Sequence, residues 1–303
     1  MTQGIFHKAV VTAMPLFPRS LIWQFSQRYI AGTTLDDAFA KVRELNAAGC
    51  SGTIDVLGED STRETEVQAA IDLYLRALDE ISDTGIDCGV SVKLSEMGLR
   101  YDEERCRRAM EDVVTAASKR DQFVRIDMED STVTDVTLDI YTTLRRRYPK
   151  VGTVIQACLR RSEEDVERLV RDGPTDLRLC KGIYIEPEAI AYRDPEEIRQ
   201  SFNRLLEQLL ANSNARVGIA THDPALVEYA TQAIERMQVA KERYEFQMLL
   251  GVAGPLRRAL VADGHPLRVY VPFGEHWYAY SMRRLRENPY IAGHIVGNLF
   301  RRR

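Results

Sequence analysis

The run Gly52-Thr-Ile-Asp-Val-Leu-Gly58 is short, mostly apolar and bounded by glycine. A charged amphipathic stretch, Glu64–Ile81, follows it, and a second apolar run, Cys88-Gly-Val-Ser-Val-Lys-Leu94, comes next. Short apolar runs that alternate with longer stretches of helical periodicity are typical of strand–helix–strand units in a parallel sheet. The first hundred residues therefore predict one such unit, and the same pattern can be followed downstream.

The alternation recurs to the end of the chain. Six further apolar runs lie at 122–128, 152–158, 177–184, 217–222, 245–250 and 268–272. The helical stretches among them lie at 103–117, 135–147, 163–170, 195–211, 224–237 and 255–262. Eight strands alternating with helices predict an α/β protein with a closed (β/α)8 TIM-type barrel and right-handed crossovers.

The domain organisation follows from the same pattern. Residues 1–34 contain two prolines and Trp23 without clear alternation, and Asp36–Asn46 has helical periodicity with Thr33 or Thr34 as its cap. No low-complexity tract or linker divides the rest. We expect an N-terminal helical extension over residues 1–45 and a catalytic barrel over 46–303, the latter including the C-terminal helices.

Composition excludes several classes of protein. A chain of 303 residues with 45% hydrophobic residues and a net charge of −4 has no basic bias toward nucleic acid. No apolar run approaches the roughly 20 residues of a membrane-spanning helix, and the N-terminus lacks a signal core. Five scattered cysteines without CxxC spacing fit free thiols in a reducing cytosol. The histidines form no metal motif, so we expect no metal site.

Polar or ionisable residues stand at the end of almost every apolar run. In a parallel barrel, functional side chains gather at the C-terminal ends of the strands. A buried charge in a strand costs several kcal/mol unless it is paired, so a ring of such residues indicates a site. These residues are Asp55, Glu59, Lys93, Ser95, Asp127, Glu129, Gln156, Arg160, Arg178, Lys181, Thr221, His222, Gln247 and Tyr270.

Taken singly, most of these residues leave alternatives open. Lys93 fits a snorkelling barrel lysine, a Schiff-base nucleophile or a carboxylate partner. Asp127 fits a structural ion pair as well as a site residue. Thr221-His222-Asp223 before Pro224 fits a helix cap as well as a ligand contact.

The segment after the fifth run is more specific. Arg178 and Lys181 bracket Cys180, and Gly182 follows, which suits a place where the backbone approaches an anionic or electron-rich ligand. A nucleophilic role for Cys180 is disfavoured, because no histidine is near in sequence to orient it.

The last helical stretch, Trp277–Asn288, is expected to end before Pro289. Arg283 and Arg284 are adjacent, and Glu287 lies one turn on, so the two guanidinium groups are suited to clamp a small carboxylate. The alternative is a solvated surface helix with one Arg–Glu ion pair.

In this order and spacing, the segments resemble the catalytic barrel of the proline dehydrogenase family from about residue 45 to 300. The most specific part is Tyr280-Ser-Met-Arg-Arg-Leu-Arg-Glu-Asn288, preceded by Arg268-Val-Tyr270. The supporting segments are Ser91-Val-Lys-Leu94, Arg125-Ile-Asp127, Arg178-Leu-Cys-Lys-Gly-Ile-Tyr184, Ala220-Thr-His222 and Tyr244-Glu-Phe-Gln247. Ile183, Asp223 and Cys180 depart from the residues that are usual in the family.

The resemblance implies a barrel that binds FAD non-covalently and oxidises L-proline to Δ1-pyrroline-5-carboxylate. It implies catalytic roles for Asp127, Arg178 and Tyr270. The implied substrate-binding residues are Lys93, Asp127, Leu249, Tyr270, Tyr280, Arg283, Arg284 and Glu287. The implied FAD contacts are Met128, Gln156, Arg178, Cys180, Lys181, Gly182, Ile183, Thr221 and His222.

The resemblance also implies partners. The chain has no second module with a nicotinamide fingerprint, so we expect electrons to pass to a membrane quinone and the product to a separate pyrroline-5-carboxylate dehydrogenase. We expect a cytoplasmic protein whose apolar, basic-ended tail, 289–303, contacts the inner face of the membrane or docks on the barrel.

Rival functions remain on the same fold, because barrels host many chemistries. The main one is a Schiff-base aldolase that uses Lys93 or Lys181 as its nucleophile. A non-catalytic binding module and a flavin-dependent barrel acting on a folate are the others.

Overall fold

The computed structural model describes residues 19–58 and 60–287, without the side chains of Leu21, Phe25 and residues 283–287. Two helices precede the barrel, α1 (Arg19–Ser26) and α2 (Leu35–Ala47). Thr34 caps α2 in a reciprocal capping box with Asp37, which selects Thr34 from the two predicted caps. Helix α2 spans the predicted boundary at residue 45 and packs on the barrel, and that boundary remains a prediction.

Eight parallel strands form a closed barrel in which each strand pairs with the next and the last pairs with the first. The strands are β1 (Ser51–Val56), β2 (Cys88–Val92), β3 (Val124–Ile126), β4 (Val151–Gln156), β5 (Thr175–Cys180), β6 (Ala215–Ala220), β7 (Tyr244–Leu249) and β8 (Leu267–Phe273). The predicted (β/α)8 barrel is therefore confirmed.

A helix follows every strand. These helices are α3 (Glu64–Thr84), α4 (Glu103–Lys119), α5 (Thr134–Arg145), α6 (Ser162–Arg171), α7 (Pro195–Ala211), α8 (Pro224–Arg236), α9 (Gly254–Ala262) and α10 (Trp277–Glu287). Helices α7 and α8 begin alike, with a capping aspartate, Asp194 or Asp223, followed by proline in the first turn. None of the helices within 19–58 and 60–287 has the length and hydropathy that a membrane span requires.

The strands alternate between two environments. Residues such as Ile54, Val90 and Leu179 belong to the buried apolar cluster that the barrel shares with the surrounding helices. The residues between them are polar and contact one another across the barrel: the side chains of Arg125 and Asp176 form an ion pair at 2.5 Å. Parallel barrels are usually filled by branched apolar side chains. This barrel instead has charged side chains in its interior, which explains why ionisable residues such as Asp55, Arg125 and Glu245 occur in its buried strands.

The first and last helices described pack against each other at one end of the barrel. The rings of Trp23 in α1 and Trp277 in α10 meet edge to face, with centroids 4.8 Å apart. Ile22, Tyr280 and Met282 are buried in the same small cluster. Helix α1 lies within the predicted N-terminal helical extension, whose extent remains a prediction, because residues 1–18 lie outside the described part of the chain, as do residues 288–303.

Candidate active site

Asp127, the residue after β3, lies at the centre of a cluster at the C-terminal ends of the strands. Its Oδ1 accepts hydrogen bonds from Ser91 Oγ and from Arg178 Nη1, both at 2.6 Å. Its Oδ2 accepts a hydrogen bond from Tyr270 Oη at 2.8 Å. The three donors come from β2, β5 and β8, so one carboxylate joins strands from across the barrel. The three residues predicted to be catalytic, Asp127, Arg178 and Tyr270, are in mutual contact.

The environment of Asp127 keeps it ionised although it is buried. Burial by itself would raise the pKa of this carboxyl, but the cations of Arg178 and Lys93 and the two hydroxyl donors outweigh it, and the pKa lies below the ordinary value. The phenol of Tyr270 responds in the opposite direction. Burial first, and then the charges of Asp127 and Asp55, raise its pKa well above the ordinary value, so the phenol remains a hydrogen-bond donor.

Lys93, just after β2, forms an ion pair with Asp55 of β1, and its Nζ lies 3.5 Å from Tyr270 Oη. Burial alone would lower the pKa of Lys93, but the carboxylates of Asp55, Asp127 and Glu96 outweigh it and leave the pKa above the ordinary value. Burial raises the pKa of Asp55 to about 6, against the effect of Lys93. At neutral pH, Lys93 is therefore a cation and Asp55 an anion.

Arg178 has a second anchor besides Asp127. Its Nε donates to Gln247 Oε1 at 2.6 Å, and its guanidinium carbon lies 5.3 Å from the centroid of the Tyr270 ring, over its face. Its second terminal nitrogen, Nη2, donates to no residue in the part of the chain that the structure describes. A cation that is fixed at two atoms and retains unused donors is suited to meet an electron-rich group at the barrel mouth.

The residues expected to contact the cofactor lie beside this cluster, at the ends of β3 to β6. Gln156, the last residue of β4, donates from Nε2 to the carbonyl oxygen of Glu129 at 2.9 Å. Thr221 and His222 follow β6, and the backbone N–H of Leu249 donates to His222 Nε2 at 2.8 Å. That contact makes Nε2 the unprotonated nitrogen of His222 and ties the end of β6 to the end of β7.

Gly182, two residues after β5, gives the strongest test of whether a flat cofactor fits here. Its φ of +95° lies in the left-handed region, and a Cβ at this position would stand 2.3 Å from Cys158 Sγ. The backbone at Gly182 therefore packs tightly against Cys158, in the segment that follows β4, next to Lys181. Cationic donors next to a close backbone approach suit the anionic, electron-accepting groups of FAD.

Comparison with known proteins identifies the family of the chain. The protein-family model described as proline dehydrogenase matches residues 38–295. The chain belongs to the proline dehydrogenase family. Proline dehydrogenase 1 of Bacillus subtilis is 34% identical over 277 residues, which is 91% of each chain. Proline dehydrogenase of Deinococcus radiodurans is 32% identical over 315 residues, covering 99% of this chain and 100% of that one.

Solved structures show the same fold. Proline utilization A (PutA) from Bdellovibrio bacteriovorus is 26% identical, with a TM-score of 0.83 over 88% of this chain. This chain covers only 33% of that protein, so about a third of its length is shared. PutA from Bradyrhizobium japonicum, at 22% identity and a TM-score of 0.75, shares the fold.

Asp223 was singled out by the resemblance as an unusual residue, and the structure shows its contacts. Its carboxylate pairs with Lys181 Nζ at 2.5 Å and with Arg199 Nε at 2.8 Å. It also caps α8 through the backbone N–H of Ala225. Burial opposes its ionisation, but hydrogen bonds from Lys181 and Arg199 hold its pKa at about 2. The charge of Lys181 is thus largely neutralised by Asp223.

The two other departures have different environments. Burial raises the pKa of the Cys180 thiol to about 12, so it stays protonated and does not act as a nucleophile. Ile183 is 57% exposed, a large apolar side chain at the rim of the site. Met128 packs half-buried against the core.

The substrate-binding residues are brought together only in part. Lys93, Asp127 and Tyr270 form one cluster, and Leu249 ends β7 beside His222. Tyr280 is buried in the cluster of α1 and α10 with Ile22 and Leu57, and its role beside a substrate ring stays a prediction. Arg283, Arg284 and Glu287 belong to α10, but their side chains lie outside the described residues.

Sequence reasoning noted Asp55 and Gln247 as strand ends and assigned them no role. Each contacts a predicted site residue, Lys93 or Arg178. The signal was present as a charged or amide side chain inside a buried strand. The raised pKa of Lys93 also counts against the aldolase alternative, since a Schiff-base lysine must be neutral to attack a carbonyl. Lys181, the other aldolase candidate, is held by Asp223.

Proposed function

We propose that this chain oxidises L-proline to Δ1-pyrroline-5-carboxylate with a non-covalently bound FAD as the electron acceptor. The observation that carries the proposal is the buried cluster of Asp127, Arg178 and Tyr270 beside the Lys93–Asp55 pair, in a chain of the proline dehydrogenase family.

The substrate carboxylate needs a cationic partner that stays charged. Lys93 meets this requirement, because its carboxylate neighbours keep it protonated. Arg283 and Arg284 on α10 would supply the bidentate part of the clamp, with Glu287 orienting them and with Leu249 and Tyr280 against the ring. Holding the substrate at one end in this way fixes the reacting carbon, and positioning of this kind accounts for a large part of catalysis in many enzymes.

The reaction breaks the C–H bond next to the amine nitrogen and the N–H bond of the neutral amine, and it forms a carbon–nitrogen double bond. FAD, when bound, takes the hydride and with it both electrons, and the amine proton leaves to solvent. Positive charge grows on the substrate ring as the hydride departs. Asp127 stays ionised and stabilises that charge, since its pKa is held below the ordinary value. The amine must be neutral, so turnover is expected to rise with pH until the free amine predominates.

Arg178, Lys181 and Gly182 would hold the flavin. Met128, Gln156, Cys180, Ile183, Thr221 and His222 complete the expected FAD contacts. The cation of Arg178 favours an anionic reduced cofactor over a neutral oxidised one, because opposite charges attract strongly where water is excluded.

The electrons are proposed to pass from the reduced cofactor to a membrane quinone, and the product to a separate pyrroline-5-carboxylate dehydrogenase. A cytoplasmic location is part of the same proposal, and the free thiols of all five cysteines support it. Contact with the inner face of the membrane through residues 289–303 belongs to the same proposal.

A visible spectrum of the purified protein, recorded before and after anaerobic addition of L-proline, tests the proposal. We expect a flavin band that bleaches when L-proline is added and stays unchanged with D-proline or L-alanine. A flavin band that L-proline leaves untouched would move the substrate elsewhere. If the protein bound no flavin even after incubation with FAD, and borohydride trapped an adduct with a carbonyl substrate, the aldolase alternative would be supported instead.

The clamp has its own test. Replacing Arg283 or Arg284 with methionine should raise the KM for proline by at least about tenfold, since a charge-assisted pair is lost, and should leave FAD bound. Unchanged proline kinetics would remove these residues from the substrate site.

A further inference from the structure

Gln247 of β7 makes two hydrogen bonds whose directions are opposite. Its Oε1 accepts from Arg178 Nε at 2.6 Å, and its Nε2 donates to Glu245 Oε1 at 2.6 Å. A guanidinium only donates, and an ionised carboxylate only accepts. The two ends of the amide are therefore distinguished by their partners, and only one orientation satisfies both.

Glu245 is ionised and immobile. Its Oε1 also accepts from Arg268 Nε at 2.9 Å, and its Oε2 accepts from Arg216 Nη2 at 2.7 Å. Burial opposes ionisation, but Arg268 and Arg216 outweigh it and hold the pKa of this carboxyl at about 2. An anion that is clamped by two arginines cannot turn to accommodate a flipped amide.

The neighbouring strand leaves room for this amide and for little else. A Cβ on Gly218 of β6 would lie 2.5 Å from Gln247 Nε2 and 2.8 Å from its amide carbon. Gly218 pairs with Glu245 in the sheet, so the space beside Gln247 is formed by two adjacent strands. The side chain is thus enclosed as well as hydrogen-bonded.

We propose that Gln247 is a positioning residue: it holds Arg178 at Nε, with its amide orientation imposed by Glu245, and so fixes the guanidinium beside Asp127 and Tyr270. The planar guanidinium has anchors at Nε and at Nη1. With the Nε anchor gone, the group turns about its contact with Asp127. The effect on turnover rests on the proposed function, whereas the anchoring itself does not.

A double-mutant cycle between Gln247→Leu and Arg178→Met tests the proposal in two independent readouts. The first readout is the equilibrium constant of unfolding, which needs no cofactor. If the two side chains act together, the double variant should unfold at least about fivefold less readily than the product of the single effects predicts.

The second readout is the kinetics and redox potential of the FAD-loaded protein. Gln247→Leu should lower kcat for proline by about 10- to 100-fold with the KM within about threefold, because a misplaced group affects the reacting centre more than binding. It should also move the midpoint potential of the flavin to a more negative value. In the Arg178→Met background, the same change should cost less than about twofold in kcat.

Gln122→Leu is the matched control. Gln122 is also a buried glutamine, and its Nε2 donates to the carbonyl oxygen of Leu78 at 3.0 Å, outside the cluster of Asp127. This variant should lose stability while kcat and the midpoint potential stay as in the wild type.

Gln247→Glu gives a rescue that a purely structural role would not show. The new side chain still accepts from Arg178, but it can donate to Glu245 only when it is protonated. Relative to the wild type at the same pH, kcat of this variant should therefore recover as the pH falls.

The outcomes separate the two proposals. The positioning role would be overturned if the effects of Gln247→Leu and Arg178→Met simply multiplied in both readouts. It would also be overturned if Gln247→Leu and Gln122→Leu changed stability, kcat and the midpoint potential to the same extent. Coupling in the unfolding constant in a wild-type protein that proline does not reduce would overturn the proposed function and leave the anchoring intact.

Discussion

Tyr270 of β8 donates its phenolic hydrogen to Asp127, the residue after β3, over 2.8 Å across the mouth of the barrel. The same phenol lies within 3.5 Å of Lys93 and under the guanidinium of Arg178. One tyrosine thus contacts both cations and the central anion of the site. Substitutions in this cluster are expected to change catalysis and stability together.

Asp127→Asn should show this directly. An amide accepts at only one end, so one of the donors among Arg178, Ser91 and Tyr270 loses its acceptor. We expect a loss of about 3 kcal/mol in the free energy of unfolding, since breaking a buried ion pair leaves a charge uncompensated, and at least about a tenfold fall in kcat. Denaturant unfolding and proline kinetics check this. Asp172→Asn, at the surface ion pairs with Arg145 and Arg146, is the control and should change neither quantity appreciably.

Asp55→Asn should alter the pH dependence of substrate binding. Burial lowers the pKa of Lys93, and the carboxylate of Asp55 is one of the groups that raise it. Without that carboxylate, the pKa of Lys93 should fall. At low pH, the variant should bind proline as the wild type does. As the pH is raised, the variant should lose its affinity for proline at a lower pH than the wild type. The pH profile of kcat/KM measures this, and Lys93→Met should weaken binding at every pH. An unchanged alkaline limb in Asp55→Asn would contradict the pairing.

Gly182→Ala should damage the cofactor side. The substitution combines a left-handed backbone with a Cβ only 2.3 Å from Cys158 Sγ, so the strand end must move. Gly85→Ala is the control: Gly85 is also left-handed, with φ of +63°, but its Cβ would meet nothing within 4 Å. Gly85→Ala should cost about 1 kcal/mol, and Gly182→Ala more than that, with loss of FAD on gel filtration. If the two variants lost equal amounts of stability and Gly182→Ala retained all its FAD, the close approach of Gly182 to Cys158 would not matter for cofactor binding.

Asp223→Asn should strengthen FAD binding by several-fold. The change removes the anion that pairs with Lys181, one of the proposed FAD contacts, whereas asparagine caps α8 as well as aspartate does. Titration of the apoprotein with FAD at two salt concentrations measures this, and the gain should shrink at high salt. Asp194→Asn, which makes the same exchange at the cap of α7, should leave FAD affinity unchanged. Weaker FAD binding in Asp223→Asn would show that the ion pair between Lys181 and Asp223 is itself required for FAD binding.

The charged interior of the barrel should make the fold sensitive to acid. The pKa of Glu245 is about 2 in the folded protein against an ordinary 4.5, so its stabilisation is fully present above 4.5 and is lost as the pH falls toward 2. At about 1.4 kcal/mol per pKa unit, this is on the order of 3 kcal/mol. Denaturant unfolding at pH 6 and pH 3 should show a smaller difference in Glu245→Gln than in the wild type. Equal differences would mean that other carboxyl groups account for the acid sensitivity.

Much of the fold follows from local patterns in the sequence. The eight runs became the eight strands because an apolar side chain at every second position has only one place to go, against the outer helices. The ends were less predictable. The run 177–184 stops at Cys180, since the left-handed Gly182 ends the strand, and 122–128 shortens to Val124–Ile126 as Asp127 leaves the ladder.

The sequence identified single ionisable residues that the structure brings together, but it did not identify which side chains pair. Asp127, Arg178 and Tyr270 came from resemblance and proved to be in contact. The link of Gln247 to Arg178 joins residues 69 positions apart in adjacent layers of a closed sheet. Sequence shows that both strands exist, but the register across the barrel decides which side chains meet, and that information appears only in three dimensions.

The contact between Trp23 and Trp277 joins the beginning of the described chain to the helix that bears Arg283 and Arg284. The last strand, β8, ends at Phe273 and α10 begins at Trp277, so closure of the barrel by β8 also brings α10 close to α1. The position of α10 over the barrel mouth therefore depends on a helix that contributes no proposed site residue. Substitutions in α1 that loosen this contact are expected to weaken proline binding through the proposed clamp of Arg283 and Arg284.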